Sequence, residues 1–359
     1  MKSPKTPTKK DTQTCTIGLD LGDAQHTYCV LDTEANVLSR GKVRNDREPL
    51  ALWLSQWPGA KIVMEAGTHS PWISRQMEAA GHKVILANAR KTRAIWQTSH
   101  KDDERDAETL ARLGRADVRL LHPLKHRSEQ TQRDQVWLKN RETLVKSRAS
   151  AVTTVRGLLK SLGIKLPAGW STESFAPKSR KHLERAELEL VETLLQMIEC
   201  CNAQIKTLDA KIASLIEHRY PIAQRLQSVR GVGPITALSY VLIVEDPARF
   251  GRNRRSVGHY LGLTPKRDQS GVVDKQLRIT KEGPATLRRL LVSCAHYIMG
   301  PFGEPCALRE AGERIAQSGG KNARKRAIIA VARKLSVLLL ALWQKPQSSY
   351  EPYPQPAAA

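Results

Sequence analysis

Two short apolar runs, IGLDLG from Ile17 and KIVMEAG from Lys61, each place a carboxylate, Asp20 and Glu65, where a buried strand would otherwise be wholly apolar. An ionised side chain drawn from water into a strand is costly unless a cation or a hydrogen-bond partner goes with it. A fold must therefore bring both strand ends to a polar edge. Around them the text alternates CTIGLDLG, HTYCVLD, an amphipathic stretch around Leu50 to Trp57, KIVMEAG, a helical PWISRQMEAAG and another strand, HKVILAN. Strands alternating with helices predict an α/β domain.

A Gly22 turn separates the first two runs and suits a hairpin, whereas helix-length segments before the later strands suit parallel crossovers. A mixed sheet that opens with a hairpin is the RNase H-like arrangement. A third acidic cluster follows in HKDDERDAETLARL, where Ala107, Leu110, Ala111 and Leu113 recur at helical spacing between about 104 and 115. That spacing puts Asp103 and Asp106 on one helix face, close enough to approach one metal ion. Other roles stay open for these acids: Asp103 or Asp106 as a helix N-cap, Asp102, Glu104 and Glu108 as solvated charges, Asp23 as a turn residue. Taken with Asp20 and Glu65 they make four carboxylates, which repel one another unless divalent cations neutralise them. Hard oxygen donors suit Mg²⁺, or Mn²⁺, and two such ions can stabilise the attacking and leaving oxygens of a phosphodiester.

Elsewhere the charge has the opposite sign. Lys and Arg number 58 against 35 Asp and Glu, a net +23 on 359 residues, the footprint of a nucleic-acid partner. A membrane-surface protein fits less well, since the charge is not confined to one amphipathic helix. Residues 1–13 read as a flexible basic tail without the apolar stretch of a secretory signal, and the apolar run Val337 to Trp343 is too short to span a bilayer, so a cytoplasmic chain with no membrane partner is expected. Six cysteines with no CxxC pair give no sign of a zinc site or a disulfide framework.

After the α/β domain, at 14–120, comes a helical region at 121–220. Val136, Leu144, Val152, Val155, Leu158 and Leu159 mark one long helix from about 128 to 162. After a break from Gly163 to Ser179, Leu183, Leu190, Leu194, Leu208, Ile212 and Leu215 mark a second to about His218. Two such helices predict an antiparallel hairpin or coiled coil, a spacer or else a surface for dimerisation or RNA. The last domain, 221–345, is expected to be mainly helical, with 346–359 as a tail. Gly231, Gly233 and Pro234 between two apolar helical runs fit a helix-hairpin-helix element, whose turn offers backbone N–H groups to a phosphate; such turns are also common as plain structure.

From Asp246 to Leu290 eleven basic residues face four acidic ones, a local +7. Candidate phosphate contacts are Arg254, Arg255, Lys266, Arg267, Arg278, Lys281 and Arg288, and Gln269-Ser270-Gly271 lies among them. Guanidinium groups there could hold a phosphate under attack by the serine, although a serine before glycine is usually only a turn. A further block, KNARKRAIIAVARKL, brings Arg324, Lys325 and Arg326 onto a helix with no compensating acid.

Taken together, IGLDLG, VMEAG, KDDERDAETLA, the GVGP turn and YLGLTPKRDQSG continued by RITKEGPATLRRLL resemble the DEDD transposases of bacterial insertion sequences, the insertion-sequence one-ten family that includes the Piv pilin-gene invertase. The resemblance spans about residues 14 to 345. It implies a RuvC-like, RNase H-like amino-terminal domain whose Mg²⁺-binding acids fall on Asp20, Glu65, Asp103 and Asp106, and a carboxyl-terminal transposase domain whose catalytic serine falls on Ser270. It further implies a recombinase that forms a phosphoserine intermediate in a site composed between subunits. Its partners would be donor and target double-stranded DNA, a bridge RNA, and copies of itself as a dimer assembling to a tetramer. Asp102 departs from the threonine often found there in relatives, leaving the choice between Asp102 and Asp103 open. Two other readings compete: a RuvC-like structure-specific endonuclease using metal-activated water, and a non-cutting nucleic-acid-binding protein that keeps the fold.

Overall fold

The computed structural model describes residues 15–96, 102–270, 273–345 and 347–353. The chain divides into two compact units, Met1–Arg127 and Ser128–Ala359.

In the first unit the order is β1 (Thr16–Asp20), β2 (Gln25–Leu31), β3 (Val37–Arg44), α1 (Arg47–Leu54), β4 (Lys61–Glu65), α2 (Ser70–Ala79), β5 (Lys83–Ala87), α3 (Ala89–Trp96) and α4 (Asp103–Ala116). The five strands form one sheet in the order β3-β2-β1-β4-β5. β2 runs antiparallel to β1 and β3, while β4 runs parallel to β1 and β5. This is a mixed sheet consistent with the RNase H-like expectation. The period-two pleat explains its two covers. Ile17 and Leu19 of β1, with Cys15 just before it, pack with Ile62, Met64 and Leu86 against Leu50, Trp53 and Leu54 of α1 and Ile73 and Met77 of α2. On the opposite face Val63 and Ile85 meet Leu110, and Cys29 and Leu31 meet Ala107 and Ala111, so α4 covers that side together with Val118 and Leu121 of the short turn that follows it. The sequence gives no sign of β3, whose residues are mostly exposed on the edge of the sheet.

The second unit begins with α5 (Glu129–Ser161), α6 (Phe175–His182) and α7 (Arg185–His218). α5 and α7 are the two long helices expected from the apolar stripes, although Val136, Leu158 and Leu190, read as stripe residues, are exposed and Asp134 and Arg148 take buried places on α5 instead. The two helices lie antiparallel, since Asp134 binds Arg219, Arg141 binds Asp209 and Arg148 binds Asn202. α6 falls within the stretch read as a break, because Phe175 and Ala176 bury themselves with Val155, Leu159 and Leu195 in a small core at that end. At the other end Asp134 is buried, and Arg219, Tyr220 and Gln130 all donate to it. Burial pushes its carboxyl up, but these donors prevail and hold it below the usual carboxylate range.

There follow α8 (Pro221–Leu226), α9 (Pro234–Val244), α10 (Ser256–Tyr260), β6 (Pro265–Ser270), β7 (Val273–Ile279), α11 (Ala285–Ile298), α12 (Ala307–Gln317) and α13 (Ala323–Gln344). Their shared core joins Leu238, Tyr240, Val257, Leu261, Leu287 and Leu291 to Val331, Leu335 and Leu339. α13 is long and apolar enough by composition to cross a membrane. Its Val331, Ala332, Leu335, Leu339 and Leu340 are instead fully buried in this core, the ordinary place for such a helix.

Candidate active site

Asp20 and Glu65 are the last residues of β1 and β4, neighbouring parallel strands in register, with Leu19 opposite Met64. Adjacent strands lie ~4.8 Å apart, so these carboxylates leave the sheet side by side at one edge. They also leave it on the same face. Gly18, two residues before Asp20, and Val63, two before Glu65, both touch α4: a Cβ on Gly18 would stand 1.9 Å from Ala107 O, and one on Gly114 would stand 2.2 Å from Val63 Cγ2.

The contacts of α4 also fix its direction. Ala107 lies over Gly18, and Gly114 lies over Val63 with its carbonyl accepting from Lys61 Nζ at 3.2 Å. Near the carboxyl end of the helix Arg115 Nε donates to Thr33 O at 3.1 Å, and Thr33 follows Leu31, the β2 partner of Thr16 at the start of β1, so the helix runs antiparallel to β1 and β4 with its amino end toward the edge that carries Asp20 and Glu65. Asp103 is four residues beyond Ala107, ~6 Å of helix rise, and Asp20 is two residues beyond Gly18, ~6.6 Å of strand. Asp103 is in turn with Ala107, Leu110, Ala111 and Gly114, the buried stripe of α4. It is exposed and Asp106 half-buried at the end of that stripe. The positive end of the helix dipole favours carboxylates in this first turn.

Asp102 has a different occupation. It is the N-cap, in extended conformation, its side chain accepting from the Glu104 N–H at 3.1 Å. The capping role, which the sequence offered to Asp103 or Asp106, thus falls to Asp102, read from the sequence as a solvated charge, and Asp103 stays inside the helix. Thr92, buried on α3, donates to Glu65 Oε1 at 3.4 Å and to Asn88 O at 2.9 Å. Past the strand ends, His69 Nε2 lies 2.9 Å from Asp23 Oδ1 and ties the loop after β4 to the loop after β1, and Asn45 Nδ2 donates to Gly22 O and Asp23 O. Neither Thr92 nor His69 stands out in the sequence, because the contacts join segments far apart in the chain. The acids share an edge without closing on one point: among the described residues, no three His, Cys, Asp or Glu side chains are grouped to hold a metal ion. The donor set is nonetheless all carboxylate oxygen, the kind that Mg²⁺ and Mn²⁺ take.

In the second unit Ser270 ends β6 and pairs with Val273 in the two-stranded β6–β7 ribbon, every residue of β6 being exposed. The sequence placed this serine in a turn, and Gly271, the other half of that turn, lies outside the described residues. Two glycines seat the base of the ribbon. A Cβ on Gly262 (φ +64°) would meet Glu282 O at 2.2 Å, and one on Gly283 (φ +72°) would meet Tyr260 O at 2.1 Å. Between them Lys281 N–H donates to Gly262 O at 3.2 Å and Thr280 N–H to Thr264 O at 2.9 Å.

The basic residues around the ribbon divide into two groups. Lys266, Arg267, Arg278 and Lys281 are exposed along or just past it, and Arg255, Arg324, Lys325 and Arg326 are exposed on α10 and α13 or just before them. Arg288 turns inward, its Nη1 donating to Leu261 O at 2.9 Å and Glu282 O at 2.8 Å. Arg254 donates from Nε to Gln344 Oε1 at 2.6 Å. Arg288 thus braces the base of the ribbon and Arg254 ties the approach to α10 to the end of α13, roles the count of basic residues could not separate from phosphate binding. Gly231 takes a left-handed conformation (φ +87°) in the connection from α8 to α9, and Gly233 is the N-cap of α9.

Known proteins share this pattern. A DEDD transposase model of the IS110 type matches residues 17–164, and the model described as transposase IS116/IS110/IS902 family matches residues 223–307. The chain is 28% identical over 294 residues to the transposase for insertion sequence element IS1111A of Coxiella burnetii, covering 79% of this chain and 77% of the relative. It is 28% identical over 287 residues to the transposase for insertion sequence element IS1328 of Yersinia enterocolitica, covering 79% and 83%. Similarity extends at 25% identity over 339 residues, 91% and 94% of the two chains, to the pilin gene-inverting protein of Moraxella lacunata.

Proposed function

Because the chain belongs to the IS110 family of insertion-sequence transposases and is a DNA transposase, we propose that it cuts and rejoins DNA through a phosphoserine formed on Ser270, with Asp20, Glu65, Asp103 and Asp106 holding Mg²⁺. The observation that supports this most is the shared edge: two strand-end carboxylates on one face, and a helix whose acidic amino end arrives at the same end of the sheet.

Asp20 and Glu65 would supply the inner ligands from rigid strands, and Asp103 and Asp106 would close the set from α4. A bound Mg²⁺ contributes positive charge that stabilises the oxygens entering and leaving phosphorus. Ser270 Oγ attacks the scissile phosphorus and forms a P–O bond as the bond to the leaving strand oxygen breaks. The serine proton passes to water and the departing oxygen gains one. A second strand end then reverses the step, restoring the hydroxyl and sealing new DNA. Each phosphoester broken is replaced by another, so no nucleotide triphosphate is consumed. The exposed Lys266, Arg267, Arg278 and Lys281 would hold the DNA backbone beside the serine. In this reading the acids and serine meet within a homo-oligomer, a dimer assembling to a tetramer, and a bridge RNA selects donor and target. The protein acts in the cytoplasm.

The metal role has a direct test. Two carboxylates ~5 Å apart at an effective dielectric of about 20 repel by roughly 3 kcal/mol, so a cation they share should stabilise the fold. Unfolding followed against Mg²⁺ concentration should show a gain of about 2.7 kcal/mol at a hundred times the dissociation constant. Asp20→Asn and Glu65→Gln should lose that gain, together with DNA cleavage, while remaining folded without metal. An unchanged Mg²⁺ response in both variants would remove the acids from metal binding.

A further inference from the structure

In the second unit the connection from α11 to α12 holds a phenyl ring out in water. Gly300-Pro301-Phe302-Gly303 closes a four-residue turn in which Gly303 N–H donates to Gly300 O at 3.2 Å. Proline in the second place and glycine in the fourth suit such a turn. Arg309 of α12 clamps it, Nη1 donating to Gly300 O at 3.0 Å and Gly303 O at 2.5 Å, while Nε is held by Glu313 at 2.8 Å. Gly303 sits so tightly on the end of α11 that a Cβ would meet Ile298 O at 2.1 Å. Phe302, in the third place, is 80% exposed. Burying such a ring would favour the fold, so a locked turn that leaves it 80% exposed forgoes most of that gain. Rigid display does lower the entropy lost when the ring meets a partner.

Its surroundings indicate the partner. Arg230 reaches Glu304, two residues past Phe302, at 3.2 Å, and both side chains are well exposed, so the pair is weak and easily exchanged. Tyr297, 44% exposed, borders the same turn, and Gly231 stands against its ring, a Cβ there lying 2.8 Å from Cδ1. The cleft between Arg230, Tyr297 and Glu304 has room for only about 20 Å³, space for a water and not for a side chain or a base. A partner must therefore lie on the ring from outside. A flat π-face beside an arginine, on a chain of net charge +23, matches an unpaired base and its phosphate.

We propose that Phe302 is a stacking platform for an unpaired base of the bound nucleic acid, with Arg230 leaving Glu304 to take the neighbouring phosphate. The inference rests on the nucleic-acid reading above and adds a residue outside the acids and the serine. The full-length protein should be titrated with single-stranded DNA oligonucleotides carrying 2-aminopurine at successive positions. One position should be quenched on binding. Phe302→Ala should abolish that quench and weaken binding on the order of tenfold with no change in salt slope, and Phe302→Trp should restore both. Arg230→Ala should reduce the salt slope by about 0.7, the loss of one phosphate contact on a single strand. Retained quenching and affinity in Phe302→Ala would overturn the proposal while leaving nucleic-acid binding intact. A change in oligomer mass by light scattering with the quench retained would overturn it in favour of a protein contact. Failure of the wild-type protein to bind any oligonucleotide would sink both this proposal and the reading beneath it.

Discussion

Ser270→Ala should leave the protein folded, able to bind its DNA, and unable to form any covalent link to it. Wild-type protein, incubated with labelled DNA, Mg²⁺ and the bridge RNA that the proposed function calls for, should yield a protein-DNA species that survives denaturant and is lost on proteolysis. In Ser270→Ala strand breakage should fall by about 10³-fold or more, the scale on which removal of a nucleophile acts. The substitution removes one oxygen at an exposed position of β6, where no buried contact is lost, so melting should stay within about 0.5 kcal/mol of wild type. The competing nuclease gives the opposite pattern. Metal-activated water would go on cutting in Ser270→Ala, free nicked ends would accumulate, and no adduct would appear in either protein.

Gly18→Ala should be the most damaging single-methyl change in the first unit. Its Cβ would stand 1.9 Å from Ala107 O and 2.5 Å from Ala111 N. Both are backbone atoms of α4, so no side chain can swing aside. Either the helix lifts from β1 or the strand shifts, and the cost should reach or exceed the ~3 kcal/mol at the top of the range for overpacked cores. For a unit of this size that is a fall of roughly 10 °C or more in Tm. Cleavage should fail even at temperatures where the variant is folded, since displacement of α4 carries Asp103 and Asp106 away from Asp20 and Glu65. Gly157→Ala gives a control of opposite sign: a Cβ there meets nothing within 4 Å on α5, and helix propensity should add about 0.5–1 kcal/mol. If Gly18→Ala melted with wild type and cut DNA normally, the account of how α4 is seated would be wrong.

The sequence revealed most where periodicity and burial agree. β1, β2, β4 and β5 are apolar runs, and α4 and α7 carry clear stripes, so their bounds were nearly legible from pattern alone, whereas on α5 Val155 and Leu159 are buried but Val136 and Leu158 are exposed. β3 was not: Val37, Leu38, Arg40 and Lys42 stand on an edge, and an exposed strand needs no alternation. α6 was hidden by the Gly, Pro and Ser around it, because its formation depends on tertiary burial of Phe175. At the site, residue types pointed to Asp20 and Glu65, since a carboxylate in an apolar strand is itself conspicuous. What they could not supply was division of labour. Asp102 caps while Asp103 stays in the helix, Arg288 braces the base of the ribbon and Arg254 the end of α13 while Lys266 and Arg267 are exposed, and Thr92 and His69 join through contacts between distant segments. Those assignments depend on which way a side chain turns, and spacing carries no record of that.

Asp20, Glu65, Asp103 and Asp106 are proposed to act together at one edge of the sheet. Anomalous diffraction from crystals of the full-length protein grown with Mn²⁺ tests this most directly. The account predicts a manganese peak within about 2.5 Å of carboxylate oxygens of Asp20 and Glu65, with Asp103 or Asp106 completing the shell, and no peak in Asp20→Asn. Manganese bound away from these four residues, or none with the acids left apart, would contradict it.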